Sequence, residues 1–121
     1  METDYFFIRS DRKYIRINVD DVIYIEGLKD YVSLKTISEQ YPVAMNIKTI
    51  YAQLNHEIFL RVNRSLIVNV DKILIIDKNS IYLSDTDKVL PIGENYRPQL
   101  LDFIQSKLIK RDSKNLNLLE D

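Results

Sequence analysis

Apolar side chains recur at every second position over most of the chain between residues 5 and 92, and this alternation limits the possible folds more than any other feature. It is clearest in residues 14–19, 22–26 and 30–35. A period of two is typical of strands with one buried face, and the many β-branched and aromatic residues favour strands as well. The polar breaks between these segments are too short for the crossovers that parallel strands need. The sequence therefore predicts antiparallel sheets.

Two segments change to the period of a helix. Asn46 is placed to cap a short internal helix. The apolar stripe of that helix consists of Ile47, Ile50, Tyr51 and Leu54. Pro98 suits the first turn of a C-terminal helix, whose stripe consists of Leu100, Leu101, Ile104 and Leu108. We therefore predict a mostly β domain of about ten short antiparallel strands, one short internal helix and one C-terminal helix.

Length and composition indicate one globular domain. The chain has 121 residues, of which 45% are hydrophobic and 29% charged, as is ordinary for a single folded domain. We expect a leader over residues 1–4, the domain over residues 5–109, and a polar tail over residues 110–121 with the composition of a disordered segment. No apolar run approaches the ~20 residues of a membrane span, and a secretory signal pattern is missing. We therefore expect a cytoplasmic protein without membrane contact.

The composition argues against most enzyme chemistry. The absence of cysteine excludes a disulfide scaffold, a thiolate metal site and a cysteine nucleophile. Two glycines are too few for a glycine-rich phosphate loop, and the only histidine, His56, lies in a polar stretch typical of a solvated turn. The carboxylates around Asp20 and Asp85 lack the spacing of a calcium loop. We expect no catalytic residue, no metal site and no cofactor, and so no enzyme.

Unexplained polar residues cluster in three connections between the predicted elements. These are residues 29–31 (Lys-Asp-Tyr), 61–65 (Arg-Val-Asn-Arg-Ser) and 93–97 (Gly-Glu-Asn-Tyr-Arg). Such side chains bond phosphate oxygens and base edges in nucleic-acid complexes. An alternative interpretation is that Arg61 and Arg64 pair with nearby acids while Asn63 caps a turn. The residue types alone do not decide between the two.

Three segments, residues 22–32, 59–69 and 90–97, resemble motifs of the LytTR family of bacterial DNA-binding domains, the output domains of two-component response regulators. They occur in the family's order and at similar spacing, and the resemblance covers residues 5–104. It implies small antiparallel sheets stacked along an elongated domain. It also implies that loops at one edge of the sheets enter successive major grooves, with no helix in the groove.

The resemblance implies a set of DNA-contacting residues. The candidates for base contact are Lys29, Asp30, Tyr31, Asn63, Arg64, Glu94, Asn95 and Arg97. The candidates for phosphate contact are Lys35, Arg61 and Ser65. Arg64 leads, because a bidentate guanidinium on guanine is the commonest specific contact. Tyr31 is alternatively a packed ring, and Arg61 alternatively a support for its loop.

The third motif departs from the family pattern. Many members carry Ser-Arg after the last strand, whereas this chain has Gly93 and Glu94. A carboxylate repels phosphate, so base contact either passes to Asn95 or Arg97, or Glu94 accepts from a cytosine amino group. The formal net charge of −1 is also unlike a typical nucleic-acid binder. DNA binding therefore requires basic side chains at the loop edge and acidic ones on the opposite face.

The resemblance implies sequence-specific binding of double-stranded DNA as the output domain of a transcriptional regulator. We expect a monomer in isolation and two copies on paired half-sites about one helical turn apart. The implied partners are a receiver domain and a sensor histidine kinase. The 121 residues contain no receiver, so the chain is either an output domain or a stand-alone regulator. Two competing interpretations are a β-rich protein-interaction module that adds a partner strand and a hydrolase with an acidic cleft.

Overall fold

The computed structural model describes residues 4–110, which contain ten strands and two α-helices. The strands are β1 (Tyr5–Ser10), β2 (Lys13–Asn18), β3 (Val22–Gly27), β4 (Val32–Thr36), β5 (Gln40–Val43), β6 (Phe59–Asn63), β7 (Leu66–Asn69), β8 (Ile73–Ile76), β9 (Ser80–Leu83) and β10 (Val89–Pro91). The helices are α1 (Ile47–Gln53) and α2 (Arg97–Lys107). The predicted leader and tail lie outside the described residues, apart from Asp4 and Lys110.

The strands form three antiparallel sheets, which confirms the predicted fold class. β1 and β2 form a two-stranded hairpin, β8 to β10 form a sheet in the order β10-β9-β8, and the five other strands form a sheet in the order β5-β4-β3-β7-β6. Asp11 and Arg12 close the first hairpin with φ values of 51° and 62°. Positive φ at both central residues matches the right-handed twist of the flanking strands.

The sheets are stacked in layers with the five-stranded sheet in the middle. One face of that sheet packs against β1, β2 and α1, in a core that includes Val22, Ile25, Leu34, Ile67, Ile8, Ile17 and Ile50. The opposite face packs against the three-stranded sheet and α2, in a core that includes Val62, Val68, Ile81, Leu90 and Leu100. The middle sheet is buried on both faces because each face has its own apolar partner layer.

Both helices lie where the sequence predicts them. The side chain of Asn46 accepts a hydrogen bond of 2.8 Å from the backbone N–H of Thr49, which caps α1 as expected. In α2, Leu100 is buried against the core. Leu108 differs from the prediction, because the helix ends at Lys107 and Leu108 has an extended backbone. Its side chain is therefore exposed beyond the last turn and is not part of the stripe.

Candidate nucleic-acid interface

Two of the three polar connections meet at one end of the middle sheet. β3 pairs with both β4 and β7, and Glu26 lies opposite Ser33 on one side and Leu66 on the other. The turn between β3 and β4 and the turn between β6 and β7 are therefore side by side. The backbone N–H of Gly27 donates to the carbonyl of Ser65 over 2.7 Å, which joins them directly.

The segment after β10 reaches the same place. The backbone N–H of Gly93 donates to the carbonyl of Val62 over 2.8 Å, and the Asn63 amide donates to the carbonyl of Pro91 over 2.6 Å. A Cβ atom on Gly93 would lie only 3.1 Å from the Cα of Asn63, so glycine permits this approach. We name the resulting surface, made of residues 28–31, 63–65 and 93–97, the loop edge.

The turn between β6 and β7 is organised from within. The Asn63 Oδ1 accepts from the backbone N–H of Ser65 over 2.9 Å and from its hydroxyl over 3.2 Å. The Arg61 Nη2 donates to the carbonyl of Arg64 over 2.5 Å. Arg61 also lies 5.5 Å from the ring centroid of Tyr96, and its buried Nε has no hydrogen-bond partner within residues 4–110. Arg61 and Asn63 thus hold the turn in shape.

Arg64 differs from these two residues. Its backbone carbonyl is held by Arg61, while its side chain is exposed at the tip of the turn. Within the part of the chain that the structure describes, the Arg64 guanidinium enters no ion pair. Ser65 is exposed beside it. The turn therefore presents one free guanidinium on a fixed backbone.

The guanidinium of Arg97, like that of Arg61, already binds groups within the domain. Its Nε pairs with the Glu94 carboxylate at 3.2 Å, and its Nη1 donates to the carbonyl of Lys78 over 2.7 Å. The Arg97 side chain is only 18% exposed, whereas that of Glu94 is 85% exposed. Asn95 is exposed as well. The groups that this segment offers to solvent are therefore a carboxylate and an amide.

The turn between β3 and β4 has four exposed residues, Leu28 to Tyr31. It is closed by a hydrogen bond of 2.8 Å from the backbone N–H of Leu28 to the carbonyl of Tyr31. Lys29 and Asp30 are exposed at its tip. Tyr31 is 41% exposed and also lines a groove of about 870 Å³ between β1 and α1. Tyr31 thus belongs both to the loop edge and to that groove.

Lys35 does not join the loop edge. It lies near the far end of β4, opposite Tyr24 and Gln40. Four residues of extended strand separate it from Tyr31, a distance of about 13 Å. The strand register therefore places this candidate for phosphate contact away from the other ten.

The turn between β8 and β9 adjoins the loop edge, although it was not among the predicted contacts. The backbone N–H of Ile92 donates to the carbonyl of Asn79 over 3.0 Å, and the carbonyl of Lys78 accepts from Arg97. The Lys78 side chain is exposed there. The sequence shows Lys78 and Asn79 only as a tight hairpin turn, and no local pattern links them to the segment after β10.

A buried phenol lies behind the loop edge. Burial raises the pKa of Tyr24 above its ordinary value of 10.0, and the negative charge of Glu26 raises it further. The Lys88 ammonium lies 5.6 Å from the Tyr24 ring centroid and 3.9 Å from the Glu26 carboxylate. Tyr24 therefore stays neutral near pH 7, and Lys88 and Glu26 offset each other's charge.

The charge at the loop edge is mixed. Lys29, Arg64 and the neighbouring Lys78 are exposed cations, but Asp30 and Glu94 are exposed anions on the same surface. The expected segregation of acidic residues onto the opposite face is therefore incomplete. The surface combines strong hydrogen-bond donors with carboxylate acceptors.

Residues 4–110 contain neither a candidate metal-ion site nor a helix that could span a membrane. No group of three or more histidine, cysteine or carboxylate side chains is placed to hold a metal ion there. Neither of the two helices in that part of the chain has the length and apolar character needed to cross a bilayer.

Comparison with known proteins identifies a family and a similar fold. The family model described as the LytTr DNA-binding domain matches residues 7–105. A solved structure, the LytTr DNA-binding domain of a putative methyl-accepting/DNA response regulator from Bacillus cereus, has a TM-score of 0.71 at 16% sequence identity. That similarity covers 86% of this chain and 98% of the other. A search of curated proteins found no match. On the strength of the family match, the chain belongs to the LytTR family of DNA-binding domains.

Proposed function

We propose that this domain binds double-stranded DNA sequence-specifically through the loop edge, as the output module of a bacterial transcriptional regulator in the cytoplasm. One observation carries the proposal. Segments that are about thirty residues apart in sequence are joined by hydrogen bonds at one edge, and Arg64 projects from their centre without an ion-pair partner in residues 4–110. The domain does this by binding and carries out no enzymatic reaction.

The side chains divide into two groups in this proposal. Those that contact DNA are Lys29, Asp30, Arg64, Lys78, Glu94 and Asn95. Those that hold the loops in position are Arg61, Asn63, Ser65 and Arg97, whose polar groups already bind within the domain. Arg64 forms a bidentate contact with guanine, and the Asn95 amide suits adenine. Tyr31 supports the first turn from the groove side.

The exposed carboxylates fit this function when they lie over bases and away from the DNA backbone. A cytosine presents an amino donor in the major groove, which Asp30 or Glu94 can accept. Because carboxylates repel phosphates, they also lower affinity for DNA of any other sequence. The near-neutral charge of −1 then favours discrimination between sequences over strong non-specific binding.

The wider context of the domain follows from the same proposal. The similar structure from Bacillus cereus is described as part of a response regulator. When it is part of a longer regulator, we expect this domain to be controlled by a receiver domain and a sensor histidine kinase. Alone it is a monomer, and two copies occupy half-sites about one helical turn apart.

The proposal is tested by selection of bound sequences from a random duplex library with the 121-residue chain. The Kd of the recovered duplex is then compared with that of an unrelated duplex. We expect Arg64→Ala to weaken cognate binding by about 1–3 kcal/mol and to relax the preference at one base position.

Lys107→Ala is the matched control, because it removes the same charge at the exposed end of α2. That residue lies about 15 Å along the helix axis from Arg97. Equal effects of the two substitutions, or selection that recovers no common sequence, would contradict the proposal. Binding of a protein strand at a free sheet edge, unaffected by Arg64→Ala, would instead indicate a protein-interaction module.

A further inference from the structure

The outer face of the first hairpin is an exposed row of aromatic and arginine side chains. The register places Arg9 opposite Tyr14 and Phe7 opposite Arg16, so all four share one face with Tyr5. Tyr5, Phe7 and Tyr14 are 52%, 59% and 72% exposed. We name these five residues the aromatic ladder.

The members of the aromatic ladder hold one another in place. The Arg16 guanidinium lies 3.9 Å from the Tyr5 ring centroid, and that of Arg9 lies 5.3 Å from the Tyr14 ring centroid. The Arg9 Nη1 also donates to the Tyr14 hydroxyl over 3.0 Å. The Tyr5 and Phe7 rings meet edge to face at 6.1 Å. The side chains are therefore ordered before any partner binds.

Folding of the domain does not explain these aromatic residues. The opposite face of the hairpin, with Ile8 and Ile17, supplies its contribution to the core. Three exposed aromatic rings on one small face leave apolar area in water, which the fold does not require. Tyrosine, phenylalanine and arginine are also the residue types enriched where proteins bind proteins. The composition of the ladder is thus that of an interface.

We propose that the aromatic ladder is a docking site for an acidic protein segment that also carries apolar side chains. Among the residues that the structure describes, this face has two guanidinium groups and no carboxylate. A guanidinium stacked on a ring keeps its N–H donors free in its own plane, where they can bind a carboxylate as a fork. The exposed rings between the arginines receive the apolar side chains.

Charge and geometry favour a protein over a single-stranded nucleic acid at this site. Bases bind strand faces by stacking on aromatic rings, but Arg16 and Arg9 already lie over the rings of Tyr5 and Tyr14. Carboxylates also flank the ladder at both ends, with Asp11 in the hairpin turn and Asp20 beyond the end of β2. A continuous polyanion would run across these carboxylates, whereas a short acidic segment fits between them.

The docking site is independent of the proposed DNA contacts. The ladder shares no residue with the loop edge, although Tyr5, Phe7 and Arg9 line the same groove as Tyr31, which is a supporting residue and not a proposed DNA contact. Each site can therefore be tested while the other fails.

The test is a nuclear magnetic resonance titration of the isotope-labelled 121-residue chain with a short peptide of Asp-Leu-Ser repeats. We expect the largest shift changes at the backbone amides of β1 and β2. A double variant, Arg9→Ala with Arg16→Ala, should bind the peptide about tenfold more weakly. Both side chains are exposed, and unchanged signals from the middle sheet would show that the variant is folded.

The controls distinguish the proposed acidic segment from other possible ligands of the aromatic ladder. A peptide of Lys-Leu-Ser repeats and one of Asp-Ser-Ser repeats should each bind more weakly, because they lack the charge or the apolar side chains. The double variant Arg64→Ala with Lys107→Ala loses the same charge and should bind the acidic peptide like the natural chain. Shifts outside β1 and β2, equal binding of the lysine peptide, or tighter binding of oligothymidylate of the same length would each overturn the proposal.

Discussion

The turn between β6 and β7 and the segment after β10 are built alike but expose opposite charges. In each, one arginine binds a backbone carbonyl: Arg61 binds that of Arg64, and Arg97 binds that of Lys78. The residue three positions away is then left at the surface. It is the guanidinium of Arg64 in the first case and the carboxylate of Glu94 in the second.

This comparison shows that counting arginines overstates the charge available to a ligand at the loop edge. Arg61 and Arg97 are only partly exposed and donate hydrogen bonds to backbone carbonyls. The Arg64 side chain, in contrast, is exposed and available to a ligand. Substitutions that remove a supporting group should therefore disturb both regions together. Substitutions of the exposed groups should affect binding alone and in opposite directions.

The largest effect is expected from Gly93→Ala, which forces the two regions apart. The new Cβ would lie 3.0 Å from Tyr96 Cδ2 and 3.1 Å from the Cα of Asn63, which is backbone and cannot move aside. We expect a loss of about 1–3 kcal/mol in the free energy of unfolding, measured in urea, and loss of DNA binding. Asn95→Ala at a neighbouring exposed position is the control for stability, since Asn95 is itself a proposed DNA contact. Similar stability of the two variants would show that the contact at Gly93 is unimportant.

A smaller effect on both regions is expected from Asn63→Ala. The substitution removes the hydrogen bond to the Pro91 carbonyl and the two that Asn63 Oδ1 accepts from Ser65. We expect a loss of about 1–2 kcal/mol in the free energy of unfolding, together with weaker cognate DNA binding. Asn63→Asp keeps the acceptors but places a negatively charged oxygen where the amide donates to the Pro91 carbonyl, so it should not restore the stability that Asn63→Ala loses. An Asn63→Ala variant that binds DNA normally would argue against a positioning role.

Glu94→Gln should change binding with little change in stability. The ion pair that it removes involves a carboxylate that is 85% exposed, and such surface pairs contribute little to folding. Without that negative charge we expect tighter binding to unrelated duplexes, no gain in affinity for the cognate duplex, and a steeper dependence of Kd on salt, so that discrimination at one base position falls. Titrations at several salt concentrations measure all three effects. A rise in affinity for the cognate duplex alone would mean that Glu94 does not face the phosphates or a cytosine.

The smallest effect is expected from Lys35→Ala. The backbone of Lys35 lies about 13 Å along β4 from the first turn, which exceeds the Debye length of about 8 Å at physiological salt. Its removal should leave Kd within about twofold, whereas Lys29→Ala should weaken binding measurably. Equal losses of DNA affinity in the two variants would show that the interface extends along β4.

The sequence predicts the fold class and the candidate loops well, because both depend on local patterns. Alternating apolar residues identify the strands, the side chain of Asn46 caps α1 as predicted, and the loop segments 28–31, 63–65 and 93–97 meet at one edge. Family membership, suggested by the motifs in those segments, is confirmed by the match over residues 7–105.

The division of roles within the loops is not visible in the sequence. Arg61 and Arg64 are alike as residue types, and only the hydrogen bond across the turn separates the supporting residue from the exposed one. The contact between Ile92 and Asn79 depends on how β9 pairs with β10, and Arg97 reaches the Lys78 carbonyl across 19 residues, so the sequence does not show that Lys78 lies beside the loop edge. The distance of Lys35 from the turn depends on the strand register, which the sequence does not show.

The hydrogen bonds that frame the loop edge use main-chain carbonyls of Val62, Arg64, Ser65 and Lys78 as acceptors. Any amino acid supplies a carbonyl at these positions, so the frame does not depend on the side chains of residues 64 and 78. Side chains at those positions can consequently be substituted while the backbone keeps its shape. Such a domain is suited to acquiring a new target sequence through single substitutions, because each one changes a DNA contact and leaves the fold unchanged.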